Sequence, residues 1–209
     1  IRFPTDQVAR KKYLQDIANA VVTKMTGPVG SPRQLLDALG RAVSERRIAI
    51  WSAVPEDQQL LGETPLAHVL PEDDAPFAAV ILNNLGGNKL DYYLKTKIEY
   101  AADDCHGPTR ASTVTVNLTN GVPGGPLTDY VAAAPGLSPE LGLNDLPKGT
   151  SVTSVRLFAT RGSELSGVIL NGERVPAIHY TERGHPVFEV QVIITPGQTA
   201  DIMYQLSEP

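Results

Sequence analysis

Residues 77–100, "FAAVILNNLGGNKLDYYLKTKIEY", decide how this chain is read. The run from Phe77 to Leu82 is apolar without a break, which suits a strand buried on both faces. It stops at Asn83-Asn84, and two glycines, a third asparagine, Lys89 and Asp91 follow. An imperfect period-two pattern then sets Leu94, Ile98 and Tyr100 against Lys95, Lys97 and Glu99, broken at Thr96. Two strands are therefore predicted, Phe77–Asn83 and Tyr92–Ala101, with Tyr92 and Tyr93 on opposite faces of the sheet.

The polar junction between them has two readings. Consecutive backbone N–H groups around Gly86-Gly87 could form an anion-accepting nest, with Lys89 supplying charge. Asn83, Asn84, Asn88, Lys89 and Asp91 are then candidate ligand-binding residues. Alternatively, the asparagines satisfy nearby backbone groups, the glycines supply angles that other residues resist, and Lys89 pairs with Asp91. On physical grounds alone the second reading is the stronger.

Further strands are predicted at Ser112–Leu118, Ser151–Ala159, Leu165–Leu170, Val187–Ile194 and Ala200–Leu206. Asn171-Gly172 is the strongest hairpin signal, because both residue types accept the positive φ of a type I′ turn. Pro196-Gly197 and Glu182-Arg183-Gly184 mark further turns. Residues 119–149, rich in Gly, Pro and Leu, exceed ordinary loop length, as functional or mobile loops do.

Upstream the period is helical. Val8, Leu14, Ile17, Val21 and Met25 recur at helical spacing behind an N-cap at Thr5 or Asp6, and Gly27-Pro28 ends the run. Ser31 caps a second helix with Pro32 in its first position and an apolar stripe of Leu35, Leu36, Leu39 and Val43. Ile48–Ser52 reads as a short strand, and Pro55–Leu61 as a helical turn closed by Gly62. The proline- and acid-rich residues 64–76 are the natural subdivision. The expected fold class is α+β: a helical layer over 1–76, ending a larger N-terminal domain, then an antiparallel immunoglobulin-like β-sandwich over 77–209.

Chemistry is sparse. A net charge of −5, with Lys and Arg concentrated only at Arg10-Lys11-Lys12 and Arg41 to Arg47, argues against a nucleic-acid partner. No nucleophile elbow or phosphate loop occurs, so no catalytic residue and no cofactor is predicted. His68, His106, His179 and His185 are scattered; His179 and His185 flank a turn and read as surface residues. Acids at 72–74 and 103–104 lack calcium-loop spacing, so no metal site is predicted. Cys105 has no partner within the chain, and Asn117-Leu118-Thr119 is a glycosylation sequon. The chain starts at Ile1 in mid-pattern and reads as a fragment or processed form. No run approaches the ~18 apolar residues of a membrane span.

Longer blocks carry a resemblance. The "NN-x-GGNK-x-DYYL" block from Asn83 to Leu94 and the "DYV" at Asp129 to Val131 are its most specific parts. With "GVILNGERV", "VIITPGQTADIMYQL", "VARKKYLQDIANAVVTKM" and "LLDALGRAVSERRIAIWSAVPEDQQLL" they extend over nearly the whole chain. The chain resembles the C-terminal part of a family of exported, membrane-anchored envelope proteins of unknown function from high-GC Gram-positive bacteria. The resemblance implies an extracytoplasmic part of the cell envelope, and with no catalytic constellation in the sequence the expected role is a non-catalytic module that binds envelope polysaccharide or another envelope protein. Its parent would be membrane-anchored, through a segment absent from this chain. Asp6 to Leu14, "DQVARKKYL", is also distantly similar to the Asp/Arg helix of envelope glycopolymer phosphotransferases, though its spacing departs from theirs. That alternative makes Arg10 and Lys11 candidate pyrophosphate ligands, near a helix N-terminus where the dipole favours an anion.

Overall fold

A computed structural model describes residues 6–28, 30–45, 47–104, 107–132 and 146–209. Cys105 and His106, as well as residues 133–145 of the long insert, lie outside the described residues. The fold is α+β, with two antiparallel sheets and a few helices. The chain divides into two compact units, residues 1–71 and 72–209.

The first unit is helical. Helix α1 spans Gln7–Thr26 and is capped by Asp6, whose carboxylate accepts from Ala9 N at 2.9 Å. Helix α2, Pro32–Ser44, starts behind Ser31 with proline in its first turn, and α3 spans Pro55–Gly62. Residues 48–52 do not form the predicted strand; one backbone bond, Ile50 N to Leu66 O, holds them within the unit. An isolated extended segment without a ladder partner has no sheet to join. No described residue of this unit is buried, and no helix among the described residues is long and apolar enough to cross a membrane.

The second unit holds nine strands among the described residues. One sheet runs in the order β1 (Ala78–Asn84), β4 (Ser151–Ala159), β8 (His185–Ile194), β7 (Ile178–Glu182). The other runs β2 (Leu94–Ala102), β3 (Arg110–Asn120), β9 (Thr199–Glu208), β5 (Glu164–Leu170), β6 (Glu173–Val175). Alternation along β3 and β9 sends Val114, Val116, Leu118, Ile202 and Tyr204 inward. There they join Val155, Leu157, Val190 and Val192 of the first sheet in one core. Each such side chain contributes about 1.5–3 kcal/mol on burial. The doubly buried strand is β4 and not β1, which lies at a sheet edge with no fully buried residue.

The turns follow their residues. Asn171 and Gly172 take φ of 51° and 88° between β5 and β6, and Gly197 takes 79° between β8 and β9. Arg183 and Gly184, at 48° and 80°, close the β7–β8 hairpin. That hairpin buries His185 completely: its Nδ1 lies 2.8 Å from Ala159 O and its ring 4.7 Å from Phe77. His185 is therefore a core residue and not the predicted surface histidine, while His179 is exposed opposite Phe188.

Two buried polar groups tie the unit together. Asn120 Nδ2 donates to Gly149 O and Ile194 O, both at 2.8 Å, so the end of β3 holds the end of the insert and the end of β8. Glu208, with no exposed surface, accepts from Tyr100 Oη at 2.5 Å, Thr160 Oγ1 at 2.9 Å and Arg110 Nη2 at 3.3 Å. Thr160 also accepts from Phe77 N at 2.9 Å, so this carboxylate links strands of both sheets. Burial, then the Glu208 bond and charge, push the Tyr100 hydroxyl up to about 12.

Removing Glu208 takes a buried acceptor away from Arg110 and from the Tyr100 and Thr160 hydroxyls. Glu208→Ala is expected to cost about 3 kcal/mol in urea unfolding. The Tyr100 proton is lost near pH 10.0 in the unfolded chain but near 12 in the fold. Its stabilisation is full below the lower value and fades as pH rises through the higher one. Thermal melts between these limits should therefore show a steeper fall for the native chain than for Tyr100→Phe.

Candidate functional site

The junction of residues 83–93 connects the edge strand of one sheet to the edge strand of the other. Asn83 and Asn84 are the last residues of β1, opposite Ser154 and Thr153, and Leu85 N adds one more bond to Val152 O. There the ladder ends and the asparagine side chains take over. Asn84 Oδ1 accepts from Gly86 N at 2.8 Å, while its Nδ2 donates to Asn88 Oδ1 at 2.8 Å and to Asp91 Oδ2 at 2.9 Å. Asn88, itself buried, accepts from Leu90 N at 3.1 Å through the same Oδ1. These are Asx-type turns in which side chains replace backbone partners.

The glycines have distinct roles. Gly87 sits at φ 59°, a left-handed conformation, with open space where a Cβ would be. Gly86 is buried under Asn88, whose Nδ2 would lie 2.5 Å from an added Cβ. Among the described residues Lys89 forms no ion pair: in place of the expected Lys89–Asp91 pair, Asp91 accepts a hydrogen bond from the Asn84 side-chain amide.

The chain does not enter β2 at Tyr92. Leu90–Tyr93 forms a 3₁₀ turn and the strand begins at Leu94, which corrects the placement of the two tyrosines on opposite sheet faces. Buried Leu90 anchors the turn, leaving Tyr92 87% exposed and Tyr93 partly so. Their rings meet edge to face with centroids 5.1 Å apart.

Across from the turn lies helix α4, Asp129–Ala132, within the long insert. Val131 O accepts from Lys89 N at 2.9 Å, so the two most specific sequence blocks are bonded to each other. Lys148 Nζ, 2.6 Å from Asp129 Oδ1, holds that exposed carboxyl below its ordinary range by hydrogen bond and charge. A groove of about 410 Å³ opens at this corner, lined by Lys89, Asp91, Tyr92, Tyr93 and Val131.

Of the sequence-derived candidates, Asn84, Asn88 and Asp91 are joined in one network, Lys89 lines the groove beside it, and Asn83 belongs to the β1 ladder. Arg10 and Lys11 lie in the other unit, on α1, where Arg10 Nη2 bonds Gln7 Oε1 and Lys11 is exposed. Tyr92, Tyr93 and Val131 were not among the candidates. Only the quoted blocks pointed to them, because the period-two pattern absorbed the tyrosines into a strand. Among the described residues no group of three or more His, Cys, Asp or Glu could hold a metal ion.

No protein-family model and no curated protein matches the chain. A crystal structure from Legionella pneumophila, described as a candidate nutrient binding protein, aligns at 10% identity with a TM-score of 0.32. The alignment covers 61% of this chain and 41% of that one, so the chain spans about two fifths of that protein's length. A likeness this slight carries no argument about function.

The two glycines should respond differently to alanine. Gly86→Ala must displace the buried Asn88 carboxamide and is expected to cost about 1–3 kcal/mol. Gly87→Ala incurs only the left-handed backbone penalty, about 1–2 kcal/mol. Lys89→Ala should stay within about 0.5 kcal/mol. Urea unfolding of the three variants checks this ranking.

Proposed function

We propose that this chain is a non-catalytic extracytoplasmic module of a cell-envelope protein, and that its groove at residues 89–93 binds envelope polysaccharide. The observation that carries the reading is the pairing of an exposed tyrosine with polar groups in one open groove. A tyrosine ring offers a flat apolar face to the C–H face of a sugar ring and keeps its hydroxyl for hydrogen bonding. Lys89 and Asp91 beside it supply a donor cation and an acceptor, the few placed polar groups that fix orientation in a binding site. A turn already braced by Asn84 and Asn88 loses little entropy on binding.

The fold suits such a role. On this reading the second unit is an immunoglobulin-like sandwich preceded by a helical layer. The orders β1-β4-β8-β7 and β6-β5-β9 correspond to the two sheets of that fold taken in chain order. The position beside β9, where a final strand would lie, is taken instead by β3. The β2–β3 pair arrives between the first and second sandwich strands, and the groove lies at its entrance. The parent protein would be anchored to the membrane through a segment outside this chain, with the module facing outward.

Affinity electrophoresis through gels holding neutral or acidic envelope polysaccharides tests the reading. Tyr92→Ala should weaken retention roughly tenfold while leaving the melting temperature unchanged, since the ring is almost wholly exposed. Equal mobility of native and variant chains in every polymer would overturn it.

A further inference from the structure

The outer edge of β2 is the feature that the groove leaves unused. Every residue of this nine-residue strand except Leu94 is exposed, although the strand continues a sheet whose next member, β3, is buried at every second position. Thr96, Ile98 and Tyr100 stand opposite Leu118, Val116 and Val114, so they share the core face of the sheet. Yet Ile98 remains 47% exposed beside a neighbour with no exposed surface. The other face carries Lys95, Lys97 and Glu99, and Lys97 Nζ lies 2.9 Å from Glu99 Oε1. Long unpaired edges are templates for another strand, and lysines usually guard them. Here the guard is incomplete, because a glutamate sits two residues from the lysine on the same face.

We propose that the β2 edge is a homodimer interface, in which a second copy of this chain adds its own β2 antiparallel across a two-fold axis at Ile98. Charge selects this register. With Ile98 opposite its symmetry mate, Lys97 faces Glu99 of the second copy and Glu99 faces Lys97, giving two reciprocal opposite-charge pairs. On the core face Ile98 meets Ile98, and Thr96 meets Tyr100. Lys95 falls opposite Ala101, diagonal to Glu99. Moving the axis one residue either way sets Lys97 against Lys97 or Glu99 against Glu99. A half-step slip instead brings the charged face of one strand beside the apolar face of the other. One register satisfies both faces, so the lysines that repel other strands admit this one.

The pairing joins two five-stranded sheets into one continuous sheet and covers the exposed half of Ile98. The two copies of Leu94 lie roughly 27 Å apart along the ribbon. Each groove sits at the outer end of its own strand, so a long polymer meets two sites. This last consequence rests on the polysaccharide reading; the dimer does not.

Sedimentation equilibrium on the full chain tests the interface, with charge reversals at the two central positions. The native chain should dimerise with increasing concentration. Lys97→Glu and Glu99→Lys each convert two attractive pairs into two repulsive ones, and should weaken the dimer roughly tenfold or more. Mixing the two single variants should restore it as a heterodimer, and the double reversal should restore it within one chain. A native chain that stays monomeric up to its solubility limit overturns the proposal. So does a dimer that neither single reversal weakens, which would place the contact on another surface. Failure of polysaccharide retention with the charge-swap pattern intact would sink the ligand reading alone.

Discussion

The carboxamide of Asn84 is the constraint on which this architecture turns. Strand β1 must leave the edge of one sheet and deliver the chain to the edge of the other, and its ladder ends at Leu85. Buried backbone groups without partners would cost several kcal/mol at such a crossing. Asn84 meets the need from one side chain, accepting from Gly86 and donating to Asn88 and Asp91. Asn88 extends the network to Leu90, whose burial fixes the 3₁₀ turn and thereby sets the exposed attitude of Tyr92. The asparagines build the turn, and the side chains beyond them line the groove.

At the far end of the same sheets Glu208 closes the structure. Its partners come from β2, β3 and the segment after β4, so a single buried carboxylate joins strands that the core alone would hold only by apolar contact. Three hydrogen-bonding partners, one of them an arginine, offset the cost of keeping that charge out of water. Tyr100 belongs to this cluster through its hydroxyl while its ring stands on the exposed flank of β2. The edge strand is therefore pinned at both ends, by the Leu90–Tyr93 turn and by Glu208, and its residues between them are exposed.

Much of this was legible in the sequence where a local rule and a long-range need agreed. The alternation of Val114, Val116 and Leu118 gave a strand buried on one face, and Asn171-Gly172 gave a hairpin, because each signal is complete within a few residues. The short strands β6 and β7 were missed, since three to five residues flanking Pro176 and Ala177 carry too little pattern. Residues 48–52 had strand-like composition but no partner, and composition cannot supply one. Within the site, the asparagine turns followed from residue type, whereas the tyrosines were misassigned because a 3₁₀ turn of polar and apolar residues mimics period two. His185 and Glu208 gave no local sign of burial: Glu208 and Tyr100 are 108 positions apart, and only the folded sheets bring them together.

On the proposed reading, the turn at residues 89–93 and Val131 form one ligand-binding corner. Amide chemical shifts followed by NMR during titration with short envelope oligosaccharides test it most directly. Saturable shifts confined to Lys89, Asp91, Tyr92, Tyr93 and Val131 are expected. Shifts centred instead on Arg10 to Lys12 of α1, with the corner unmoved, would contradict it.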